Sequence, residues 1–444
     1  MASIDELDFD KDPGFNDKKV ENEIPNIIKV IGVGGGGSNA INHMFTQKIK
    51  GVSFVVCNTD MQALHDSPVP EQLLIGPNTT HGLGAGNKPE VAKQAAEESA
   101  EDISKLFDEE TKMVFITAGM GGGTGTGAAP VVAKIAKEKG VLTVGIVTIP
   151  FLFEGEKKIA KALKGSDEMS KYVDALLIIN NERLTEIYSD LDFMNAFGKA
   201  DDTLTTAARS ISELITTRGR VNLDFEDVNT TLRDGGVAII STGYGEGENR
   251  VTKAIEDALN SPLLKNRDVY GAKRILVNTY FSENATKKFV MAEIDEIQQF
   301  MSKFNPDLDV ISGWALDDTL GDKVKITILA AGFNVTLGNE TPAKKETKQA
   351  KVETEDSITT RLEDEYGREK IQKRAQDMAR ARYMVLKLED FDNDEAVDMI
   401  EKTPTLNRDP KFREQVNTAL QNKDVKPKAQ PEKTDSEPHT IKFG

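Results

Sequence analysis

Two glycine clusters carry the most legible chemistry in this chain. The run Ala118-Gly119-Met120-Gly121-Gly122-Gly123-Thr124-Gly125-Thr126-Gly127 follows an apolar strand pattern, Met113–Ile116, and precedes a helix-like stretch from Ala128 to Lys139. A second cluster, Gly32-Val33-Gly34-Gly35-Gly36-Gly37-Ser38-Asn39, closes the apolar strand Ile27–Ile31. A strand-to-helix turn without Cβ atoms offers bare backbone N–H groups to an anion, and the helix N-terminus behind it adds positive partial charge. The natural ligand of such a turn is a nucleotide phosphate. A flexible surface loop is the bland reading of either cluster alone. Two clusters in one chain suggest one nucleotide gripped from two sides.

The elements that must hold these turns alternate along the chain. Strand patterns at Ile27–Val33, Ser53–Thr59, Met113–Thr117, Val141–Thr148 and Ala175–Asn180 are separated by helical stretches, notably Glu90–Phe107 and Ala128–Lys139. That alternation predicts a mostly parallel sheet covered on both faces. A long helix follows from about Ala196 to Thr217, with Leu204, Ala207, Ala208, Ile211, Leu214 and Ile215 at helical spacing and Gly219 placed to stop it. The pattern then restarts with strands at Val237–Ser241, Arg274–Phe281, Asp309–Trp314 and Val324–Ala330, and helices at Arg250–Leu259 and Val290–Phe304. This reads as a second, smaller α/β layer.

Composition narrows the class. A chain of 444 residues holds two domains and further segments. The net charge of −17 argues against general nucleic-acid binding, which needs clustered Lys and Arg. The single cysteine, Cys57, fits a reducing compartment and, inside the strand around Phe54-Val55-Val56, a buried structural role. The acidic, polar N-terminus does not read as a signal peptide, and no apolar run approaches the roughly 20 residues of a spanning helix. These features predict a cytosolic protein. The four histidines, His43, His65, His81 and His439, show no ligand spacing, so zinc is not expected.

Three nucleotide folds compete. Gly32, Gly34 and Gly37 match the dinucleotide fingerprint, and Asp60 ends the next strand as an acidic residue should. That fingerprint gives the second cluster no role. The common NTPase motif is missing, because no Gly-Lys-Ser/Thr follows either cluster. Outside both classes, Gly121 to Gly127 reads as the tubulin-type signature Gly-Gly-Gly-Thr-Gly-Thr-Gly. Around it stand Asn58-Thr59-Asp60, Gly82-Leu83-Gly84-Ala85-Gly86, Pro150-Phe151-Leu152-Phe153-Glu154-Gly155 and Asn222-Leu223-Asp224-Phe225-Glu226-Asp227. From about Ile27 to Phe333 the chain resembles the FtsZ family of bacterial, tubulin-like cell-division GTPases.

The resemblance implies an α/β, tubulin-like fold: a Rossmann-type GTPase domain joined by a long central helix to a smaller α/β domain, with flexible extensions. The corresponding divisions are a disordered arm over residues 1–25, a GTP-binding domain with the central helix over 26–219, a C-terminal α/β domain over 220–335, and a linker and partly helical tail over 336–444. It further implies GTP and GDP as ligands, contacted by Gly35, Gly36, Gly37, Ser38 and Asn39 and by Gly123, Thr124 and Gly125. Glu154 and Lys158 match a sugar-contacting pair, and Lys158 departs from the usual Arg, which loses the planar fork. Asp201 matches the base-reading position, with Phe197 four residues earlier to pack on the purine. A carboxylate suits guanine because it accepts from both N1–H and N2–H₂. Asp202 is adjacent, and a share in that role stays open.

Asn222, Asp224 and Asp227 match the family's hydrolytic loop, where they would orient and polarise water at the γ-phosphate. The bland reading makes the two acids helix N-terminal charges. They follow the far end of a helix of about 22 residues, roughly 33 Å long, so they would not reach their own subunit's nucleotide. They would reach that of the next subunit stacked head to tail, and such contacts generate filaments. Magnesium follows from general phosphate chemistry, with no ligands named by the motifs. The expected function is a self-assembling GTPase that builds the ring at the mid-cell division site. A family member that binds GTP and assembles but barely turns over is the alternative, and a dinucleotide oxidoreductase comes third.

The C-terminal hundred residues resemble the family less. Residues 340–357 read as a solvated linker, and Lys370–Lys387 carries six basic residues against one acid, Asp377. A basic helix of this kind packs on the body or touches an acidic surface such as membrane. The family implies membrane-tether and division proteins as partners of the tail. Its docking peptide is matched poorly by Ile400-Glu401-Lys402-Thr403-Pro404-Thr405-Leu406-Asn407-Arg408, and the chain ends differently.

Overall fold

In the computed structural model the residues described are 27–49, 51–187, 193–217, 219–261, 269–304, 308–333, 361–363, 365–373, 393–403 and 410–421. The N-terminal arm, the linker and most of the basic segment lie outside them. The chain divides into two compact units, between residues 358 and 359.

The first unit is built on eleven strands: β1 (Ile28–Val33), β2 (Val52–Asn58), β3 (Glu71–Leu74), β4 (Met113–Gly119), β5 (Leu142–Ile149), β6 (Ala175–Asn180), β7 (Gly219–Val221), β8 (Gly236–Gly245), β9 (Arg274–Phe281), β10 (Asp309–Leu316) and β11 (Val324–Phe333). Their order in the sheet is 3-2-1-4-5-6-8-11-9-10-7. Strands β1 to β6 pair in parallel throughout, and β1 and β5 are buried along their whole length. Burial on both faces is why these strands read as unbroken apolar runs. The sheet continues through a short parallel pairing of β6 with β8, at Ala175–Gly236 and Leu176–Val237. Beyond it, β11 runs antiparallel to both its neighbours, β8 and β9. Sequence periodicity missed β3 and β7, because three- and four-residue strands carry almost no pattern.

Twelve helices of this unit are α1 (Gly34–Thr46), α2 (Met61–His65), α3 (Pro77–Thr80), α4 (Pro89–Glu98), α5 (Ala100–Lys105), α6 (Thr124–Glu138), α7 (Glu156–Ser170), α8 (Asn181–Ile187), α9 (Phe193–Thr216), α10 (Phe225–Leu232), α11 (Arg250–Leu259) and α12 (Met291–Met301). Both glycine clusters enter their helices earlier than expected. α1 begins at Gly34 and α6 at Thr124, four residues before Ala128. The stretch expected as one helix over 90–107 breaks at Ser99, whose hydroxyl accepts the Gly76 N–H at 2.9 Å.

The long helix is α9, and its Leu204, Ala207, Ala208, Ile211 and Leu214 are buried as the spacing required. They join a core that includes Ile28, Phe115 and Ile146 from the parallel strands and Leu276 and Leu329 from the others. Gly219 does not end α9; it opens β7. A second core, with Ile239, Val251, Ile275, Phe300 and Ile326, belongs wholly to the later strands and α11–α12. Between these two helices the Arg250 Nε donates to Glu293 Oε1 at 2.6 Å, a pair almost entirely out of solvent.

The second unit contains α13 (Asp394–Lys402) and α14 (Pro410–Gln421). They bury Ala396, Val416 and Ala419 between them, flanked by Met399, Ile400, Phe412 and Leu420. Asn393 caps α13 through the Ala396 N–H at 3.1 Å and donates to the Ala419 carbonyl at 2.8 Å, which ties the two helices together. Ile400-Glu401-Lys402 lies in α13, whereas residues 404–408 of the peptide-like stretch lie outside the described residues. Of the basic segment, residues 368–373 are described and helical.

Candidate nucleotide site

β1 and β4 are adjacent parallel strands, with Gly32 beside Thr117 and Val33 beside Ala118. The chain leaves β1 toward β2 on one side and reaches β4 on the other, so the crevice above their C-terminal ends is the topological switch point. Both glycine clusters open there. They touch: a Cβ on Gly34, whose φ is +73°, would lie 2.7 Å from the Gly125 nitrogen, and one on Gly125 would lie 2.6 Å from the Gly119 oxygen. Only glycine permits that approach. Gly35 and Gly122 instead have nothing within 4 Å of where a Cβ would stand. Neither α1 nor α6 has a side-chain N-cap, so the N–H groups of two first turns converge on one crevice without a side chain to satisfy them.

Polar groups around the crevice are left uncommitted. Ser38 Oγ and Asn181 Oδ1 are buried, and no described residue bonds either. Asn39 is exposed on α1. Thr124 Oγ1 meets Thr59 Oγ1 at 2.7 Å, and the Gly121 N–H donates to Thr126 Oγ1 at 2.8 Å, which fixes the shape of the turn. The loop Gly82–Lys88 packs on Gly123, through Ala85, Asn87 and Lys88. These groups fit a phosphate chain. Among the described residues no cluster of three or more His, Cys, Asp or Glu is arranged to hold a metal ion.

Asp60 departs from the dinucleotide expectation. Its carboxylate caps α2, accepting from the N–H groups of Gln62 at 2.9 Å and Ala63 at 3.3 Å, so its Oδ1 is not turned to a ribose. Glu154 and Lys158 form an i,i+4 ion pair at 2.5 Å, and the second Glu154 oxygen accepts the Phe151 N–H at 2.9 Å. Lys158 also packs against Gly121, which brings this pair to the turn. Phe197 stands edge-on to Phe151 at 5.1 Å, and Phe151 stacks on Phe153 at 5.1 Å. Sequence reasoning placed Phe197 but not this aromatic trio, although the Phe151-x-Phe153 spacing was its only available signal.

Asp201 lies on α9 one turn after Phe197. Burial pushes its carboxyl up to about 6, opposed by His43 and helped by the adjacent Asp202. No described residue hydrogen-bonds the carboxylate, although Thr205 Oγ1 donates to the Asp201 backbone carbonyl at 2.7 Å. Cys57, by contrast, is sealed inside β2, where burial and then Glu71 push the thiol up to about 12.

Asn222, Asp224 and Asp227, the expected hydrolytic loop, sit elsewhere. Asp224 and Asp227 form a reciprocal capping box on α10: the Asp227 N–H donates to Asp224 Oδ1 at 3.1 Å, and the Asp224 N–H donates to Asp227 Oδ2 at 2.9 Å. Each keeps a second oxygen that no described residue bonds. Asn222 is exposed beside them. From Asp201 to Thr216 at the end of α9 is about 22 Å at 1.5 Å per residue. α10 ends where β5 and β6 begin: Arg233 reaches Asp174 at 3.3 Å, and Asp174 accepts the Thr143 N–H at 2.9 Å. A cavity of about 580 Å³ opens at this edge, between Lys112, Lys139, Phe225, Glu226, Asn229 and Arg233. The glycine turns stand at the opposite edge of the same parallel strands.

A 3-2-1-4-5-6 sheet with two glycine-lined helix N-termini at its switch point, joined by a central helix to a second layer, defines a tubulin-like GTPase. Residues 27–189 match the Tubulin/FtsZ family GTPase domain and residues 236–334 the FtsZ family C-terminal domain. The chain is 48% identical over 414 residues to the cell division protein FtsZ of Porphyromonas gingivalis, a match spanning 90% of this chain and 89% of that protein. It is 44% identical over 308 residues to FtsZ of Aquifex aeolicus, spanning 69% of this chain and 83% of that one. Among solved structures, an FtsZ dimer from M. jannaschii superposes with a TM-score of 0.62 at 38% identity, covering 69% of this chain and 88% of that one. The chain therefore belongs to the FtsZ family, filament-forming GTPases of cell division. Neither the weak-turnover alternative nor the oxidoreductase reading is favoured.

Proposed function

We propose that GTP binds in the crevice above β1 and β4 and is hydrolysed only when the next subunit, stacked head to tail, supplies Asn222, Asp224 and Asp227. The observation that carries this reading is their separation: phosphate turns at one edge of the parallel strands, uncommitted carboxylate oxygens of α10 at the other. The N–H groups of Gly35–Gly37 and of Gly123–Gly125, with Ser38 and Thr124, hold the phosphates. Glu154 and Lys158 meet the sugar, Phe197 packs against the base, and Asp201 and Asn39 contact the base edge and its surroundings. Asp224 and Asp227 hold and polarise the attacking water, since ordinary carboxylates are weak bases at neutral pH. Magnesium would travel with the phosphates and neutralise their charge.

Four large apolar side chains are exposed around the crevice: Met61, Leu83, Phe153 and Phe197, with Leu83 85% exposed. Val221, next to Asn222, is 52% exposed at the other end. Apolar surface at both ends supports stacking of copies. The domains divide at residues 219 and 220, with the tail from 336 onward engaging membrane-tether and division proteins. Filaments assemble in the cytoplasm and build the ring at mid-cell. GTP hydrolysis measured against protein concentration tests the composite site. The expected result is near-zero activity below an assembly threshold and a constant rate per added subunit above it. Activity proportional to concentration from the start would overturn the reading.

A further inference from the structure

The helix that offers its first turn to the crevice also reaches α9 with its last turn. His43, near the end of α1, sets Nε2 2.7 Å from Asp202 Oδ1. A carboxylate only accepts, so that nitrogen carries the hydrogen. Lys199 Nζ stands 3.6 Å from the other Asp202 oxygen. Asp202 is thus held from two sides, while the side-chain carboxylate of Asp201 beside it is bonded by no described residue. Gln47 Nε2 lies 2.6 Å from His43 Nε2, but with the hydrogen on His43 both are donors, so this is a packing contact; Arg209 of α9 donates to Gln47 Oε1.

We propose that His43 is a positioning residue for guanine recognition: it pins Asp202 to α1 and leaves Asp201 as the one carboxylate turned to the base. The inference rests on Asp201 being the base reader. Guanine offers two neighbouring donors, which a single ionised carboxylate satisfies. A second, unpinned carboxylate alongside competes for them and raises the proton affinity of the first. Successive helical residues point about 100° apart, so a change of rotamer separates Asp202 from that competition. The charged groups facing His43 among the described residues are Asp201 and Asp202 from α9, with Lys199 on the other oxygen of Asp202 and Arg209 bonded to the neighbouring Gln47. The same contact ties the base-reading turn of α9 to the helix that meets the phosphates.

The test uses the full chain at concentrations below assembly, with GDP, inosine diphosphate and xanthosine diphosphate competing against a fluorescent GDP analogue. His43→Ala is expected to weaken GDP about tenfold, the loss of one charge-assisted hydrogen bond, and to narrow the preference over inosine diphosphate. His43→Gln keeps a donor and recovers most of both. The pH midpoint of GDP binding rises in His43→Ala, because the group that opposes the upward shift of the Asp201 carboxyl is gone. Unchanged GDP affinity, base preference and midpoint in His43→Ala overturn the proposal. So does an equal loss for all three nucleotides with the midpoint unmoved, which marks a structural role only. Should His43→Ala fail to fold, Asp202→Ala decides: retained guanine preference supports the pinned role, and lost preference makes Asp202 a base reader. Asp201→Asn tests the underlying assignment separately, with a switch toward xanthosine diphosphate expected. If it leaves GDP binding intact, the base-reading assignment fails whatever the His43 variants do.

Discussion

At the two ends of the parallel strands, the glycine-led helices and α10 begin in opposite ways. At the glycine edge, α1 and α6 begin without side-chain caps, and Ser38 Oγ and Asn181 Oδ1 are buried without a partner among the described residues. At the α10 edge, Asp224 and Asp227 cap each other's backbone in a closed box. An uncapped N-terminus beside unpaired buried polar atoms is incomplete without an anion, whereas a closed box is stable by itself. The first edge is shaped to receive a ligand. The second holds its acids in place before any ligand arrives, and the box restrains their side chains so that their remaining oxygens have a fixed aim.

That contrast breaks most sharply at Asp227. Asp227→Ala removes a cap and a carboxylate at the α10 edge only. GTP turnover in assembled protein is expected to fall at least about 100-fold, while GDP affinity of the monomer stays within about twofold. A parallel loss of nucleotide affinity would mean that the two edges are not separate.

An effect of comparable size lies remote from both edges. Glu293→Gln leaves the Arg250 guanidinium buried without its carboxylate, and is expected to cost about 3–5 kcal/mol in denaturant unfolding. GDP binding should be unaffected under native conditions, since this pair lies in the later layer with α11 and α12.

At the glycine edge, Gly34→Ala forces a Cβ to 2.7 Å from the Gly125 nitrogen on a backbone with φ of +73°. The two turns must part, and GDP affinity measured by titration calorimetry is expected to drop roughly tenfold or more, with about 1–3 kcal/mol of stability lost. A tight-binding Gly34→Ala protein would deny that the approach of the turns matters.

The smallest effect sharpens the comparison through pH. Asp201 has a folded value raised to about 6 from 3.8. A raised acid contributes stability at low pH that is lost as pH climbs through the folded value, so the empty protein is favoured by protonated Asp201 below about pH 6. The proposed base-reading role needs the ionised form. GDP affinity should therefore fall as pH drops below about 6, and Asp201→Asn should slightly raise the melting temperature of the nucleotide-free protein at pH 7. An unchanged melting temperature would place Asp201 in a more solvated setting than its burial implies.

The glycine turns were legible because their chemistry is local. A run such as Gly121–Gly127 can expose backbone N–H groups whatever surrounds it, and strands buried on both faces announce themselves as apolar runs. The face of α9 followed from periodicity for the same reason. Asp60 was not decidable locally: it fits a ribose-reading position and an N-cap equally well, and the start of α2 one residue later made it a cap. Asp224 and Asp227 carried two readings three residues apart, and the backbone closed them into a box. His43 and Asp202, 159 residues apart, carry no mutual signal in the chain at all. By itself the sequence determined the glycine turns, the parallel strands, the buried stripe of the long helix and the family to which they belong. Tertiary structure alone decided which side chain holds Asp202, because partners on α1 and α9 meet only after the crossovers have set the order of the strands.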